Sequence, residues 1–334
     1  MMSHLRQDPL RGYWVVVNET RGRRPDEFAA APARRRALRC PFCGGNEDAT
    51  PHALAEYRGA RNGSASLWQA RVIPNKYPAF VGDAPPDRSN GRTIQPAGFH
   101  SADNAGRHEV IVESRRHVAS FAQLTEDEAE RAATVYRDRL LALTETPGLV
   151  YGALFKNTGA DAGASIEHTH SQLIGMPFLP PEAVLEIENC RQHYNATGGP
   201  LLAEIVASEL EQAIRVVART ENFIAFCPYA SRFPFQMWVA PLQATPRFEH
   251  TPVEQLHELA GLLKHLVARI ETATQGASHN MLLHTAPLKK TVCPGFSWRL
   301  ELFPRISRQA GLEWGSGVFI NTVAPETAAA RLRE

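Results

Sequence analysis

Between Tyr151 and Ile174 the chain alternates in a way that only extended backbone explains. Tyr151 to Phe155 is an apolar strand, Gly159 to Gly163 is a small-residue loop, and from His168 onward a polar residue stands at every second place. Side chains alternate faces along a strand, so His168, His170 and Gln172 share one face. The same period predicts strands at Tyr13–Val17, from Arg71 into the turn at Asn75, and over His108–Glu113. It predicts them again at Asn222–Phe226, Phe235–Ala240, Asn280–His284 and Ser297–Phe303. Helical spacing replaces it twice. Thr125 with Glu128 forms a capping box ahead of Ala129, Ala132, Ala133, Tyr136 and Leu140. Thr251 with Glu254 reads as a second capping box, with Pro252 at the first helical position, ahead of Leu256, Ala260, Leu263, Val267 and Ile270. Residues 82–106, rich in Gly, Pro and Asp, read as a long loop, and 177–200 as irregular.

The order strand, loop, Thr-capped helix, strand, loop, strand occurs twice. The second half therefore reads as a diverged copy, with Ser297–Glu301 standing where His168–Gln172 stands. The fold class expected is α+β, two repeats that each pack a helix on an antiparallel sheet, divided as 1–195 and 196–334. Only the first copy keeps its histidines, so one catalytic strand is expected per chain.

Composition narrows the field. The 334 residues are 43% apolar and 21% charged with a net charge of +1, which fits a globular protein and argues against nucleic acid as a partner. No apolar run is long enough for a bilayer, and the N-terminus lacks a signal-peptide core. Five cysteines with one close pair make no disulfide framework, so the cytoplasm is the expected compartment. That pair, Cys40-Pro41-Phe42-Cys43-Gly44-Gly45, reads as a zinc knuckle rather than a redox motif, since it follows a loop instead of opening a helix after a strand. With no second such pair, histidines must complete a tetrahedral site. The basic turn Arg21–Pro25 and the triplet Arg34–Arg36 read as solvated loop.

Taken together, several motifs resemble the galactose-1-phosphate uridylyltransferase family, a duplicated branch of the histidine-triad superfamily. They are Arg6-x-Asp8-Pro9-Leu10-x-Gly12-x-Trp14-Val15, Cys40-x-x-Cys43, His108-Glu109-Val110, Gly163-Ala164-Ser165 with His168-x-His170-x-Gln172, and the ending Gly311–Asn321. The resemblance implies two histidine-triad-like repeats and a zinc held by Cys40, Cys43, His108 and His168. It implies His170 as the nucleophile, with Ser165 and Gln172 on phosphate oxygens. Arg71 and Asn75 would lie near the nucleotide and Glu313 near the sugar, with Lys156, Asn157, Gly163 and Asn321 also on the substrate side. The partners implied are a nucleoside-diphosphate sugar and a sugar 1-phosphate, and the assembly a homodimer.

The chain departs from the family at Thr169, where a proline is usual, and at Ser297 and Arg299, which are often histidine. Cys190, His193 and His284 with His250 resemble a second zinc site of the plant-type branch that acts on ADP-glucose, as does Gly315–Asn321. The expected reaction is uridylyl transfer from UDP-glucose to galactose 1-phosphate through a nucleotidyl-histidine. The alternatives are adenylyl transfer as an ADP-glucose phosphorylase, a histidine-triad hydrolase, which Gln172 disfavours, and a non-catalytic nucleotide-binding protein.

Overall fold

The alternation along the chain resolves into one large sheet with a helical side and an open side. The computed structural model describes residues 4–19, 39–58, 67–83, 93–94, 100–288 and 293–334. The two arginine-rich stretches and most of the 82–106 loop lie outside these residues. In chain order the strands of the first half are β1 (His4–Gln7), β2 (Trp14–Val17), β3 (Ala55–Arg58), β4 (Trp68–Pro74), β5 (Thr93–Ile94), β6 (His100–Ser101), β7 (Arg107–Val112), β8 (Tyr151–Thr158) and β9 (His170–Met176). Those of the second are β10 (Val216–Arg219), β11 (Phe223–Phe226), β12 (Met237–Pro241), β13 (His279–His284), β14 (Arg299–Pro304) and β15 (Phe319–Asn321). The helices are α1 (Glu126–Thr144), α2 (Pro181–Thr197), α3 (Leu201–Gln212), α4 (Val253–Ala273), α5 (Gly311–Ser316) and α6 (Pro325–Arg333).

Ten strands form one sheet in the order β10-β11-β12-β14-β13-β8-β9-β7-β4-β3, antiparallel at every junction. Read inward from its two ends, this order is the same five-strand pattern twice, joined where β13 pairs β8. Helices α1 and α4 occupy equivalent places and share one core with the inward side chains of both halves, among them Ile111, Leu154, Leu173, Val239, Met281 and Leu300. The repeat is therefore real at the level of topology, and β14 begins at Arg299 as β9 begins at His170. A three-stranded sheet, β1-β2-β15, ties the N-terminal hairpin to the C-terminal segment. Among the described residues no helix is long and apolar enough to cross a membrane.

Two sequence expectations need correction. The Thr125 capping box forms: its Oγ1 accepts from the Glu128 N–H at 3.3 Å, and Glu128 returns the contact to the Thr125 N–H at 2.8 Å. The Thr251 box does not, because α4 starts after Pro252 with no side-chain cap and the buried Thr251 hydroxyl has no hydrogen-bond partner. The stretch read as irregular is largely α2, opened by Pro180-Pro181 and closed by Gly198 at φ 80°. Its buried face consists of Glu186 and Cys190, so no apolar stripe announces the helix.

Glu186 explains what fills the open side of the second half. Arg299, in the position equivalent to His170, donates to Glu186 (Nη2 at 3.0 Å), and Arg11 lies 3.3 Å from the same carboxylate. Arg11 also reaches Glu301 at 3.1 Å, which Arg232 meets at 3.0 Å and Gln236 at 2.7 Å. Burial would raise the Glu186 carboxyl, but the Arg299 and Arg11 charges outweigh it and hold the pKa at about 2; Glu301 likewise lies well below the ordinary range. A folded pKa below the unfolded one gives stability that is complete above the unfolded value and is lost as pH falls through the folded one. Thermal melts should therefore drop steeply between about pH 4 and pH 2, with Glu186 contributing on the order of 3 kcal/mol. In Glu186→Gln that acid slope should flatten, and an unchanged slope would show that the cluster does not govern it.

Candidate active site

The candidate site is built on β9, whose open face carries His170 and Gln172 while Ser171 points to the helices. His170 is buried, and its Nδ1 lies 2.7 Å from the carbonyl of His168. A carbonyl can only accept, so Nδ1 carries the proton and the Nε2 lone pair is left for a substrate. Burial, the largest influence, lowers the His170 pKa and favours the neutral imidazole a nucleophile requires. Phe42, from the loop between the two cysteines, sets its ring edge-on to His170 with centroids 5.2 Å apart.

On the opposite face of the strand lies a buried charge pair. Lys156 donates to Glu113 (2.6 Å), to the Thr169 hydroxyl (2.7 Å) and to the His170 carbonyl (3.1 Å). Glu113 also accepts from Thr169 (2.5 Å), Ser171 (2.6 Å) and the Tyr136 hydroxyl. Burial would raise the Glu113 carboxyl, but Lys156 and these hydroxyls hold it below its ordinary range. Lys156 is thus not on the substrate side. Its parity along β8 matches Leu154, which lies in the helix-facing core, so it grips the strand that carries His170 from behind.

The thiols gather at the entry to β9. Cys40, Cys43, His117 and His168 place one ligand atom each within 4.8 Å of one another. His168 Nδ1 lies 3.6 Å from both sulfurs, and His117 Nδ1 lies 3.3 Å from Cys43 Sγ. The second ring nitrogen of His168 donates to the Ser114 carbonyl at 2.8 Å, which leaves Nδ1 its lone pair. Two thiols and two imidazoles with a carbonyl behind one imidazole suit a metal ion held in a closed four-ligand site.

His117 takes the place expected of His108, and the register gives the reason. Pairing of β7 with β9 sets Val112 opposite His170 and His108 opposite Ile174. A residue that meets His168 must therefore lie beyond Val112, where the chain turns back past the Cys43-Gly44 end of the knuckle and Gly44 N–H bonds the Arg115 carbonyl at 3.0 Å. Cys43→Ser and His117→Ala should each lower bound metal and thermal stability, while His108→Ala should keep its metal. Metal analysis with parallel melts checks this, and metal loss from the His108 variant alone would overturn the ligand set.

His108 instead stands beside Gln172 (Nε2 to Oε1, 2.8 Å) and Asn75, so Asn75 and Gln172 share one cluster on the open face. The loop before β9 is a short 3-10 turn, Ala160–Ala162, between Gly159 at φ 82° and Gly163 at φ 91°. Both angles lie in the left-handed region that favours glycine. Asn157 accepts from Asn280 at 2.8 Å, and its amide nitrogen borders Gly163. Ser165 is exposed at the end of this loop.

The other expected residues have contacts of their own. Arg71 is buried, 3.4 Å from Glu56 and over the Trp68 ring at 5.4 Å, two strands from His170 in the same register row. Glu313 accepts from the Ala310 N–H at 2.9 Å and so caps α5. Asn321 is fully buried and donates to the Ser231 carbonyl at 2.8 Å, holding β15 in place. It is a packing residue. The second metal set is not assembled: His193 pairs with Glu204 at 2.9 Å, His284 pairs with Glu301 at 3.0 Å, and His250 is exposed. Cys190 is buried, and desolvation followed by Glu186 pushes its thiol up to about 12.

The chain is similar to known proteins over nearly its whole length. A family model described as "Domain of unknown function (DUF4921)" matches residues 52–334. The ADP-glucose phosphorylase of Arabidopsis thaliana is 29% identical over 341 residues, covering 99% of this chain and 92% of the relative. The galactose-1-phosphate uridylyltransferase of Thermotoga maritima is 28% identical over 342 residues, covering 100% and 98%. The crystal structure of an ADP-glucose phosphorylase from Arabidopsis thaliana with bound ADP-glucose superposes with a TM-score of 0.83 at 28% identity, covering 100% of this chain and 99% of that one.

Proposed function

The chain belongs to the family described as Domain of unknown function (DUF4921), and from that premise we propose that it is a hexose-1-phosphate nucleotidylyltransferase that works through a nucleotidyl group on His170. The observation that carries this reading is the His170 ring itself: buried, and with Nδ1 turned to the His168 carbonyl so that Nε2 is left for a substrate.

In the first half-reaction Nε2 attacks the α-phosphorus of a nucleoside-diphosphate sugar. The nitrogen–phosphorus bond forms, the phosphorus–oxygen bond to the sugar phosphate breaks, and the departing sugar 1-phosphate keeps the electron pair. The ring gains positive charge, which the carbonyl behind Nδ1 stabilises. In the second half-reaction an oxygen of the acceptor phosphate attacks the same phosphorus and the imidazole leaves. Such transfer depends on positioning and charge stabilisation. The Gln172 amide and Ser165, with the amides of the Gly159–Gly163 turn, are the donors suited to the phosphoryl oxygens, each worth about 2–4 kcal/mol if magnitudes known for oxyanion sites apply.

We assign the Cys40, Cys43, His117 and His168 site to zinc. A four-ligand protein site of that kind supplies a crosslink rather than a Lewis acid: it would clamp the entry to β9, two residues from the nucleophile. Residues 1–195 would then carry the catalysis and 196–334 act as its diverged structural copy, in a cytoplasmic homodimer.

Uridylyl transfer from UDP-glucose to galactose 1-phosphate is the first reading, supported by similarity to the uridylyltransferases. Adenylyl transfer from ADP-glucose is the second, favoured by the likeness to the Arabidopsis thaliana phosphorylase. Incubation with UDP-glucose or ADP-glucose, each labelled in its α-phosphate, separates them. One should leave acid-labile, base-stable label on the protein, with release of sugar 1-phosphate. Failure of both to label would sink the covalent reading, and release of free nucleoside monophosphate without an acceptor would favour a hydrolase.

A further inference from the structure

His108 and Gln172 are diagonal neighbours across β7 and β9, since His108 faces Ile174 and Val110 faces Gln172. Their hydrogen bonds have a fixed direction. The Ala79 backbone N–H donates to His108 Nδ1 at 3.0 Å. A backbone N–H can only donate, so Nδ1 holds a lone pair and the proton of the neutral ring is on Nε2. Nε2–H then has one acceptor suited to it, Gln172 Oε1 at 2.8 Å. Asn75 is oriented the same way: its Oδ1 accepts from the Tyr77 N–H at 2.8 Å, which turns its Nδ2 towards the same Gln172 Oε1 at 3.3 Å. The 3.1 Å approach of Asn75 Nδ2 to His108 Nε2 is accordingly two donors meeting over one acceptor.

We infer that His108 is a positioning residue for the transfer reaction: relaying the polarity of the Ala79 amide through its ring, it fixes the Gln172 side chain with Oε1 turned inward and the amide hydrogens left for a phosphoryl oxygen. The inference rests on the nucleotidyl-histidine reading above. Without a donor at position 108 only the longer Asn75 contact, 3.3 Å, would hold Gln172 Oε1, and the flipped amide would set a carbonyl oxygen against an anionic phosphate. Among the described residues no acceptor takes the Gln172 amide hydrogens, as expected of a group held ready for a ligand.

The test is one of polarity. His108→Gln keeps an N–H donor at that reach, whereas His108→Glu has the same shape and can only accept, drawing the Gln172 amide hydrogens away from the substrate. Single-turnover labelling by the better of the two sugar nucleotides should be near wild type in His108→Gln. It should be slower by about tenfold to a hundredfold in His108→Glu, approaching the roughly hundredfold loss expected of Gln172→Ala. Bound metal should be unchanged in all three. In the Gln172→Ala background the difference between Gln and Glu at position 108 should vanish, because a residue acting through another has no further effect once that other is gone. Equal rates for the two single variants overturn the inference. So does a gap that persists without Gln172, which would mean that the glutamate charge acts on substrate directly. Absence of label on the wild-type protein is a different failure, because it removes the covalent reading itself.

Discussion

Replacing His170 by alanine is expected to abolish transfer of the nucleotidyl group, with no labelled protein and a fall in kcat of at least about 10⁴-fold. The size follows from what the side chain alone supplies. The neighbouring imidazoles are committed elsewhere: His168 is turned to the thiols and the Ser114 carbonyl, His117 to Cys43, and His108 to Gln172 and Ala79. Water admitted to the vacated space would be a weaker nucleophile and would give hydrolysis rather than transfer. The fold should survive, since the variant loses one hydrogen bond to a main-chain carbonyl and an edge contact with Phe42. Bound metal should match wild type, because Cys40, Cys43, His117 and His168 remain. Labelling, steady-state rates and metal content measured on one preparation decide the point. Transfer at a substantial fraction of the wild-type rate would mean that the nucleophile lies elsewhere.

How much of this site was legible in the chain depends on the range of the interactions. The alternation His168, His170, Gln172 follows from backbone geometry alone, and the fold places His170 and Gln172 on one face as it requires. The duplication is also local information repeated, and the palindromic strand order carries it through. His117 was not legible in the same way. Choosing between two histidines nine positions apart requires the register of β7 against β9, which no short window contains. The Glu113–Lys156 pair is a similar case. Lys156 looks like a free cation near a phosphate until its strand parity is set against α1, which puts it with Leu154 on the buried side. Helix α2 escaped because its inward face is Glu186 and Cys190, and that face is stable only against Arg11 and Arg299 from distant parts of the chain. Where tertiary partners rather than apolar periodicity decide, a linear reading sees polar residues and assigns a loop.

The buried pair behind β9 leads to the other large effect. Lys156→Met should destabilise the protein by about 3–5 kcal/mol, because it leaves the Glu113 carboxylate buried without its cation. Glu113 is fully buried and Lys156 nearly so, so water cannot substitute for the lost charge. The hydroxyls of Thr169, Ser171 and Tyr136 would remain, softening the loss without supplying a positive charge. The double variant Lys156→Met with Glu113→Leu removes both charges together. It should recover most of that loss, as replacement of a whole buried pair by apolar groups is often close to neutral. Urea unfolding of wild type, single and double variants measures both numbers, and a loss under about 1 kcal/mol in the single variant would mean that the pair is solvated. Activity separates the two variants differently. Lys156 Nζ also holds the His170 carbonyl and the Thr169 hydroxyl, so the double variant should regain stability but not the full rate of labelling. A double variant restored in both respects would show that the network supports the sheet and leaves the nucleophile unconstrained.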